Sequence, residues 1–306
     1  KLYLPCIYSI YIVPVRLSVN IDARRYALNQ LSLNERRQHM MIEPLPGRSP
    51  EQGKIAIEAV VFDTFGTVCD FYHPMVSAFQ TLALRKGVSC DASRMAIAWR
   101  TAYVVSTFTQ AAEESTFRPL REINRDNLAA IISRHFPTSL DTAELEELNR
   151  IWERLEPWPD TVAGLQGIRE LAIIAPLSNG NFADMVRLAR HAGLPWDIIL
   201  GSSISGFYKP HPATYLKSVE ALNLQPGQVL MVAAHQQDLA YAAGHGIQTA
   251  FVSRPEEFGG KLKPEHPEPG VDYMDAAEIY PEAEWTYIAD DFLDLARQLK
   301  EAASQA

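Results

Sequence analysis

From residue 56 onward the chain alternates two hydrophobic patterns. Short, largely apolar runs, AIEAVVF (56–62), LAIIAPL (171–177), DIILGSS (197–203), QVLMVAA (228–234) and QTAFVS (248–253), are too brief for helices and rich in branched residues. They predict strands buried on both faces. Between the last four lie NFADMVRLARHAG (181–193), HPATYLKSVEALN (211–223) and DLAYAAGHG (238–246), whose apolar positions recur at helical spacing and which close on Gly or Asn. Buried strands alternating with helices imply a parallel sheet covered on both sides, so the fold expected is a doubly wound α/β domain.

One long interruption breaks this rhythm. After Asp63 helical spacing takes over in MVSAFQTLALRKG (75–87), SRMAIAWRTAYVVSTFTQAA (93–112), RDNLAAIISRHF (125–136) and AELEELNRIWERL (143–155). A connection of this length predicts a helical subdomain inserted into the sheet domain, with the cap over residues 71–159 and the α/β core in 54–70 and 160–300. Ligands of open α/β sheets bind outside the carboxyl ends of the strands. An insert leaving just after Asp63 is therefore expected to cover that edge as a lid.

The first fifty residues differ. Residues 1–19 are apolar but interrupted by Pro5 and Pro14, short for a membrane span, and followed by no convincing cleavage site. The polar, proline-rich EPLPGRSPEQG (43–53) precedes the first strand. The folded domain is expected to begin near Lys54, with 1–53 a poorly ordered extension and an export signal as the alternative.

Composition narrows the functional classes. With 47% hydrophobic residues in 306 the chain can bury a sizeable core, and a net charge of −9 without Lys/Arg blocks argues against nucleic acid as a ligand. A small anionic substrate would need local positive groups. Cys6, Cys69 and Cys90 are widely spaced with no CxxC pair, so neither a disulfide framework nor a zinc site is indicated, and a cytoplasmic location fits. Neither a P-loop nor GxGxxG occurs, so no nucleotide cofactor is implied.

The chemistry is at the strand ends. Asp63 ends the first strand, Ser178 and Asn179 the second, Lys209 follows the third in SGFYKPHP (205–212), and Asp238 follows the fourth in AAHQQD (233–238). Taken singly these are a turn or cap aspartate, two turn formers and a surface lysine. Their order along one sheet edge is what suggests a site.

That order resembles the haloacid dehalogenase superfamily, through FDTFGT (62–67), LSNG (177–180), YKPHPATY (208–215) and AAHQQDL (233–239). Within it the likeness over about residues 55–300 is to the type II (S)-2-haloacid dehalogenases. The resemblance implies a cofactor-free, metal-free homodimeric enzyme that hydrolyses short (S)-2-haloalkanoic acids to 2-hydroxy acids. Asp63 is the implied nucleophile, attacking C2 to form an ester that water then cleaves. Lys209 holds it charged, Thr67 orients it, and Asp238 with His235 positions the water. Arg100, beside Trp99 in a cap helix, and Asn179 receive the halide; Ser178 and the backbone of Thr64 and Phe65 hold the carboxylate; Tyr215 contacts the lysine or the substrate.

Two other classes stay open. Superfamily phosphatases carry DxDxT, whose second acid protonates a leaving oxygen and which work with magnesium. Here that second position is Phe65, and a halide leaves without a proton. A noncatalytic binding protein of the same fold would be expected to have lost Asp63 or Lys209. This chain also departs from the family's SSNxxD with Ala233, Ala234 and His235, and carries Thr101 and Gln237 where relatives have Gln and Trp. Halogen preference and chain length therefore stay open; aromatic residues Tyr103, Phe117, Trp152 and Trp158 are candidates for the pocket wall.

Overall fold

The structure is a computed structural model describing residues 56–113, 116–260, 280–281 and 284–305. The expected extension, 1–53, lies outside the described residues. The strands are β1 (Ala59–Phe62), β2 (Cys69–Asp70), β3 (Glu156–Pro157), β4 (Ile173–Ser178), β5 (Leu200–Gly201), β6 (Val229–Ala233), β7 (Gln248–Val252) and β8 (Tyr287–Ala289). Six of them form one sheet in the order β5–β4–β1–β6–β7–β8, every neighbouring pair parallel.

The unbroken apolar character of β1 reflects its central place. Val60 and Phe62 join the hydrophobic core on one face of the sheet, and Ala59 and Val61 join the core on the other. On the first face Phe62 packs its ring against Trp196 at 5.4 Å and Phe292 at 5.3 Å. Each such buried side chain contributes about 1.5–3 kcal/mol, which fixes β1 in register between β4 and β6.

The helices are α1 (Tyr72–Lys86), α2 (Ala92–Glu113), α3 (Leu120–His135), α4 (Thr142–Asn149), α5 (Thr161–Arg169), α6 (Phe182–Ala192), α7 (Ser202–Ser205), α8 (Pro212–Ala221), α9 (Gln236–Gly244) and α10 (Phe292–Ser304). Four of them, α1 to α4, occupy the long interruption, followed by a 3₁₀ turn at Arg150–Glu153. Their boundaries follow local chemistry. Gly87, in the left-handed region at φ 65°, closes α1, and the side chain of Asp141 accepts from Glu144 N–H while Glu144 reaches back, a capping box that opens α4. The insert is bracketed by the antiparallel pair β2–β3, Cys69 opposite Pro157 and Asp70 opposite Glu156. Trp99, Leu128 and Trp152 of the insert are buried in the same core as Phe62 and Phe65.

Four features depart from the pattern expected. DIILGSS yields only the two-residue β5, because Gly201 at φ 112° turns the chain into α7 directly. The ribbon β2–β3, the edge strand β8 and the flanking helices α5 and α10 were not signalled by the apolar runs. Among the described residues, no helix is long and apolar enough to cross a membrane.

The carboxyl edge of the sheet is tied together by Arg254, just beyond β7. Its guanidinium is buried, donates from Nε to Thr67 O at 2.8 Å, and forms a fork on Asp160 at 2.8 and 2.9 Å. Asp160 Oδ2 also accepts the Phe292 N–H that starts α10. Burial raises the Asp160 carboxyl, but the hydrogen bond and charge of Arg254 outweigh this and lower it. The pair is thus fully formed above the ordinary carboxylate pKa and lost as pH falls through the depressed one. Arg254→Leu, which strands Asp160, is expected to lower unfolding free energy by about 3–5 kcal/mol at neutral pH. Urea denaturation checks this, and the deficit should shrink on acidification.

Candidate active site

Asp63 is the first residue beyond β1, where the sheet order reverses between the outward and returning halves of the chain. Its N–H donates to Val232 O at 2.9 Å, continuing the ladder with β6 by one residue. The residue is 7% exposed. Oδ1 accepts from Lys209 Nζ at 2.9 Å, while Oδ2 accepts from Thr67 Oγ1 at 2.9 Å and faces His235 Nδ1 at 3.0 Å. Because Thr67 Oγ1 itself receives the Ala234 N–H, its proton must go to Asp63. Burial would raise this carboxyl, but the Lys209 charge and the His235 contact outweigh it and hold Asp63 well below the usual carboxylate range.

Lys209 is the hub between two acids. Its ammonium touches Asp63 Oδ1 and also pairs with Asp238 Oδ2. Burial would lower it, but Asp238 and Asp63 keep it above the ordinary lysine value. Asp238 stands in the first turn of α9 and accepts from Tyr215 OH at 2.6 Å on its other oxygen. Burial pushes its carboxyl up, and after the opposing Lys209 charge the negative charge of Asp63 adds to the rise. Tyr215, expected against the lysine or the substrate, donates its hydroxyl to Asp238, the acid that pairs with Lys209.

The remaining strand ends converge as expected in space. Asn179, after β4, accepts the Lys209 N–H on Oδ1 at 2.8 Å, which leaves its amide hydrogens directed elsewhere. Ser178 Oγ accepts from Gly180 N–H at 3.1 Å and keeps its own proton for another acceptor. Thr64 Oγ1 is buried without a hydrogen-bond partner. Phe65 stacks edge-on against Trp152 at 5.0 Å and Tyr103 at 5.8 Å, forming an apolar wall. Of the other aromatics, Phe117 packs on Tyr208 and Trp158 donates to Gly66 O, so neither joins that wall directly.

Arg100 of α2 is buried, its guanidinium lying over Phe71 and Tyr103 at 5.2 and 4.9 Å. Nη2 approaches Glu257 Oε1 at 3.9 Å, while Nε and Nη1 have no hydrogen-bond partner. The guanidinium therefore faces inward, toward the network that contains Asp63. Glu257 is wholly buried and escaped the sequence reading. It sits in RPEEFGG after β7, a stretch with no motif to single it out. Its Oε1 also meets His235 Nε2 at 2.8 Å, so His235 lies between two carboxylates. Burial would lower the imidazole, but the charge of Glu257, with the contact to Asp63, pushes it up to about 10.

A separate cavity of about 420 Å³ is lined by Arg121, Arg150, Glu153, Arg154, Arg187 and His191. None of these takes part in the hydrogen bonds around Asp63. Its cations are matched by acids: Arg121 and Arg187 by Glu153 and Asp184, Arg154 by Glu147, and His191 by Glu156. Arg150 shares Glu147 with Arg154, at 3.9 Å.

Comparison with known proteins bears on this geometry. The family profile for haloacid dehalogenase-like hydrolases matches residues 57–246. The solved structure of the defluorinating L-2-haloacid dehalogenase Rha0230 is 40% identical, with a TM-score of 0.72 over 84% of this chain and 100% of that one. That of the L-2-haloacid dehalogenase PA0810 is 36% identical, with a TM-score of 0.72 over 80% and 100%. Among curated sequences, (S)-2-haloacid dehalogenase 4A of Burkholderia cepacia is 26% identical over 206 residues, 65% of this chain and 84% of that protein.

Gly66 is where loop and Glu257 meet. It has φ 98°, and a Cβ there would stand 2.0 Å from Glu257 Oε1. Gly66→Ala is expected to cost about 2–5 kcal/mol, from overpacking plus a left-handed backbone. Gly87→Ala, with φ 65° and open space around the added carbon, should cost only about 1–2 kcal/mol. Thermal or urea unfolding of the two variants measures the difference, which is the steric share.

Proposed function

The chain belongs to the haloacid dehalogenase-like hydrolases, and from that membership and the charges around Asp63 we propose that it hydrolyses short (S)-2-haloalkanoic acids through an ester on Asp63. It is a hydrolase acting on carbon–halide bonds. The observation that carries the specific reading is an ionised, buried Asp63 with Phe65, an aromatic residue, at the position two places downstream. An alkoxide leaving group needs a proton donor there. A halide does not.

In the first step a carboxylate oxygen of Asp63 attacks C2, the carbon–halogen bond breaks with its electron pair on the halide, and C2 inverts. Poor solvation of the buried carboxylate favours attack, while Lys209 keeps it charged. Arg100, with two unpartnered nitrogens, and the side-chain amide of Asn179 receive the halide. The Ser178 hydroxyl and the backbone at Thr64 and Phe65 hold the substrate carboxylate. Water then adds to the Asp63 carbonyl carbon, giving its proton to Asp238, and the 2-hydroxy acid departs.

What supports a metal-free reading is the ammonium of Lys209, which bridges Asp63 and Asp238 where paired carboxylates would otherwise hold a divalent ion. The proposal extends to a helical cap over residues 71–159, supported by the β2–β3 bracket. It extends also to a cytoplasmic setting, supported by the unpaired thiols of Cys69 and Cys90, and to a homodimer, for which the exposed Leu84 and Val105 on α1 and α2 offer apolar surface.

Halide release from (S)-2-chloropropionate, its enantiomer and fluoroacetate tests the function. The (S) acid should be turned over with magnesium chelated, and Asp63→Asn should reduce the rate by about 10⁴-fold or more. Magnesium-dependent phosphate release from a phosphomonoester, with no halide released, would overturn the reading.

A further inference from the structure

The pair of carboxylates on His235 calls for an explanation that halide displacement does not supply. Nδ1 faces Asp63 Oδ2 at 3.0 Å and Nε2 faces Glu257 Oε1 at 2.8 Å. Ionised carboxylates only accept, so a ring held by both must donate from both nitrogens. His235 is then an imidazolium, not a base. Every charged group nearby fits that state: Asp63 and Glu257 touch the ring, Arg100 lies beyond Glu257, Lys209 lies beyond Asp63, and Asp238, in the helix that His235 precedes, is turned to Lys209 and Tyr215.

The two oxygens of Asp63 are not equivalent. Oδ1 has one donor, Lys209, whereas Oδ2 is fixed by Thr67 and His235 together. Oδ1 is the freer to bond with C2, which leaves Oδ2 as the carbonyl oxygen of the ester.

We propose that Glu257 is a positioning residue that keeps His235 doubly protonated, so that its Nδ1–H, with the Thr67 hydroxyl, receives the negative charge forming on Asp63 Oδ2 when water attacks the ester. This deepens the dehalogenase reading and rests on it. Water oxygen bonds to the Asp63 carboxyl carbon, the carbonyl electron pair moves to Oδ2, and the water proton passes to Asp238. The intermediate collapses by breaking the carbon–Oδ1 bond to the substrate; the leaving alkoxide takes the proton from Asp238, and the regenerated Asp63 acid ionises to solvent. His235 keeps both protons throughout.

Ester formation itself explains the need for Glu257. Alkylation removes the charge of Asp63, one of the two anions that hold the ring protonated, just before the ring must donate to an oxyanion. Glu257 is the counter-charge that remains. Gly66, lacking a Cβ, lets its carboxylate reach the ring. Together the donors would replace the hydroxyl and amide that the family's fourth motif supplies and that Ala233, Ala234 and His235 do not.

Rapid quench of 2-chloropropionate turnover, with intact-protein mass spectrometry, separates the two steps. Glu257→Gln is expected to keep a burst of one halide per site, accumulate alkylated enzyme and slow steady turnover by about 10²- to 10³-fold. The imidazolium is lost as pH rises through its pKa, so the alkaline limb of kcat should move to lower pH in this variant. His235→Asn, which keeps a neutral donor, should also trap ester but lose that limb. If Glu257→Gln fails to fold, His235→Asn and the wild-type His235 ring titration by NMR decide. A wild-type burst with no trapped ester in either variant, an unmoved alkaline limb in Glu257→Gln, or a His235 midpoint at or below the ordinary histidine value overturns the assignment and leaves the dehalogenase reading standing. Absence of a halide burst in the wild type overturns both.

Discussion

The arrangement depends on keeping a carboxylate ionised inside a protein. An unpaired buried carboxylate costs several kcal/mol and would instead take up a proton. Asp63 avoids this because three cations, buried Lys209 and Arg100 and half-buried His235, are set among three acids, buried Asp63 and Glu257 and half-buried Asp238. Such a network adds little to stability compared with well-packed apolar residues. Its presence at one sheet edge is better explained by chemistry, because removing any one member leaves its partner buried and uncompensated.

The fold brings the six charges together by a simple rule. β1 delivers Asp63, the loop after β5 Lys209, the end of β6 and the first turn of α9 His235 and Asp238, and the loop after β7 Glu257. All lie beyond carboxyl ends of parallel strands, and α2 adds Arg100, close to Glu257. Parallel pairing gives every one of these loops the same exit direction, so a short central strand can be surrounded by groups far apart in sequence. Arg254, hydrogen-bonded to the first loop and to Asp160, fixes the spacing between two of those exits.

Much of this was legible because it is written in local patterns. Central strands bury both faces and so read as apolar runs, and Asp63, Lys209 and Asp238 stand in motifs whose order survives without any structure. The peripheral parts were illegible for a physical reason. β8 is an edge strand with an exposed Ile288 and carries no apolar run of the kind that marks a central strand, while β5 was read in DIILGSS but is only two residues long because Gly201 turns the chain. Glu257 was hidden more completely: its burial depends on the missing side chain of Gly66, nearly two hundred residues away, and no spacing rule connects them. Tyr215 was placed in the right neighbourhood, but its hydrogen bond to Asp238 was not foreseen, since a motif gives proximity and not hydrogen-bond direction.

Phe65 and His235 together suggest how one scaffold separates two chemistries. Both dehalogenation and phosphoryl transfer can begin at a strand-end carboxylate, and both end by hydrolysing an acyl species on it. They differ in what must be supplied at the leaving group and at the carbonyl. With Phe65 packed between Tyr103 and Trp152, no proton donor is offered to the leaving group, which suits halide and disfavours alkoxide. In the proposed hydrolytic step charge gathers on the carbonyl oxygen instead, and there the site is rich in donors. The protein thus spends its polar groups on the second step and its aromatic wall on the first. In this reading Asp63 is alkylated in an environment that resists protonation, then released in one that tolerates an oxyanion, without any residue other than Asp63 changing its charge for more than a single proton's passage.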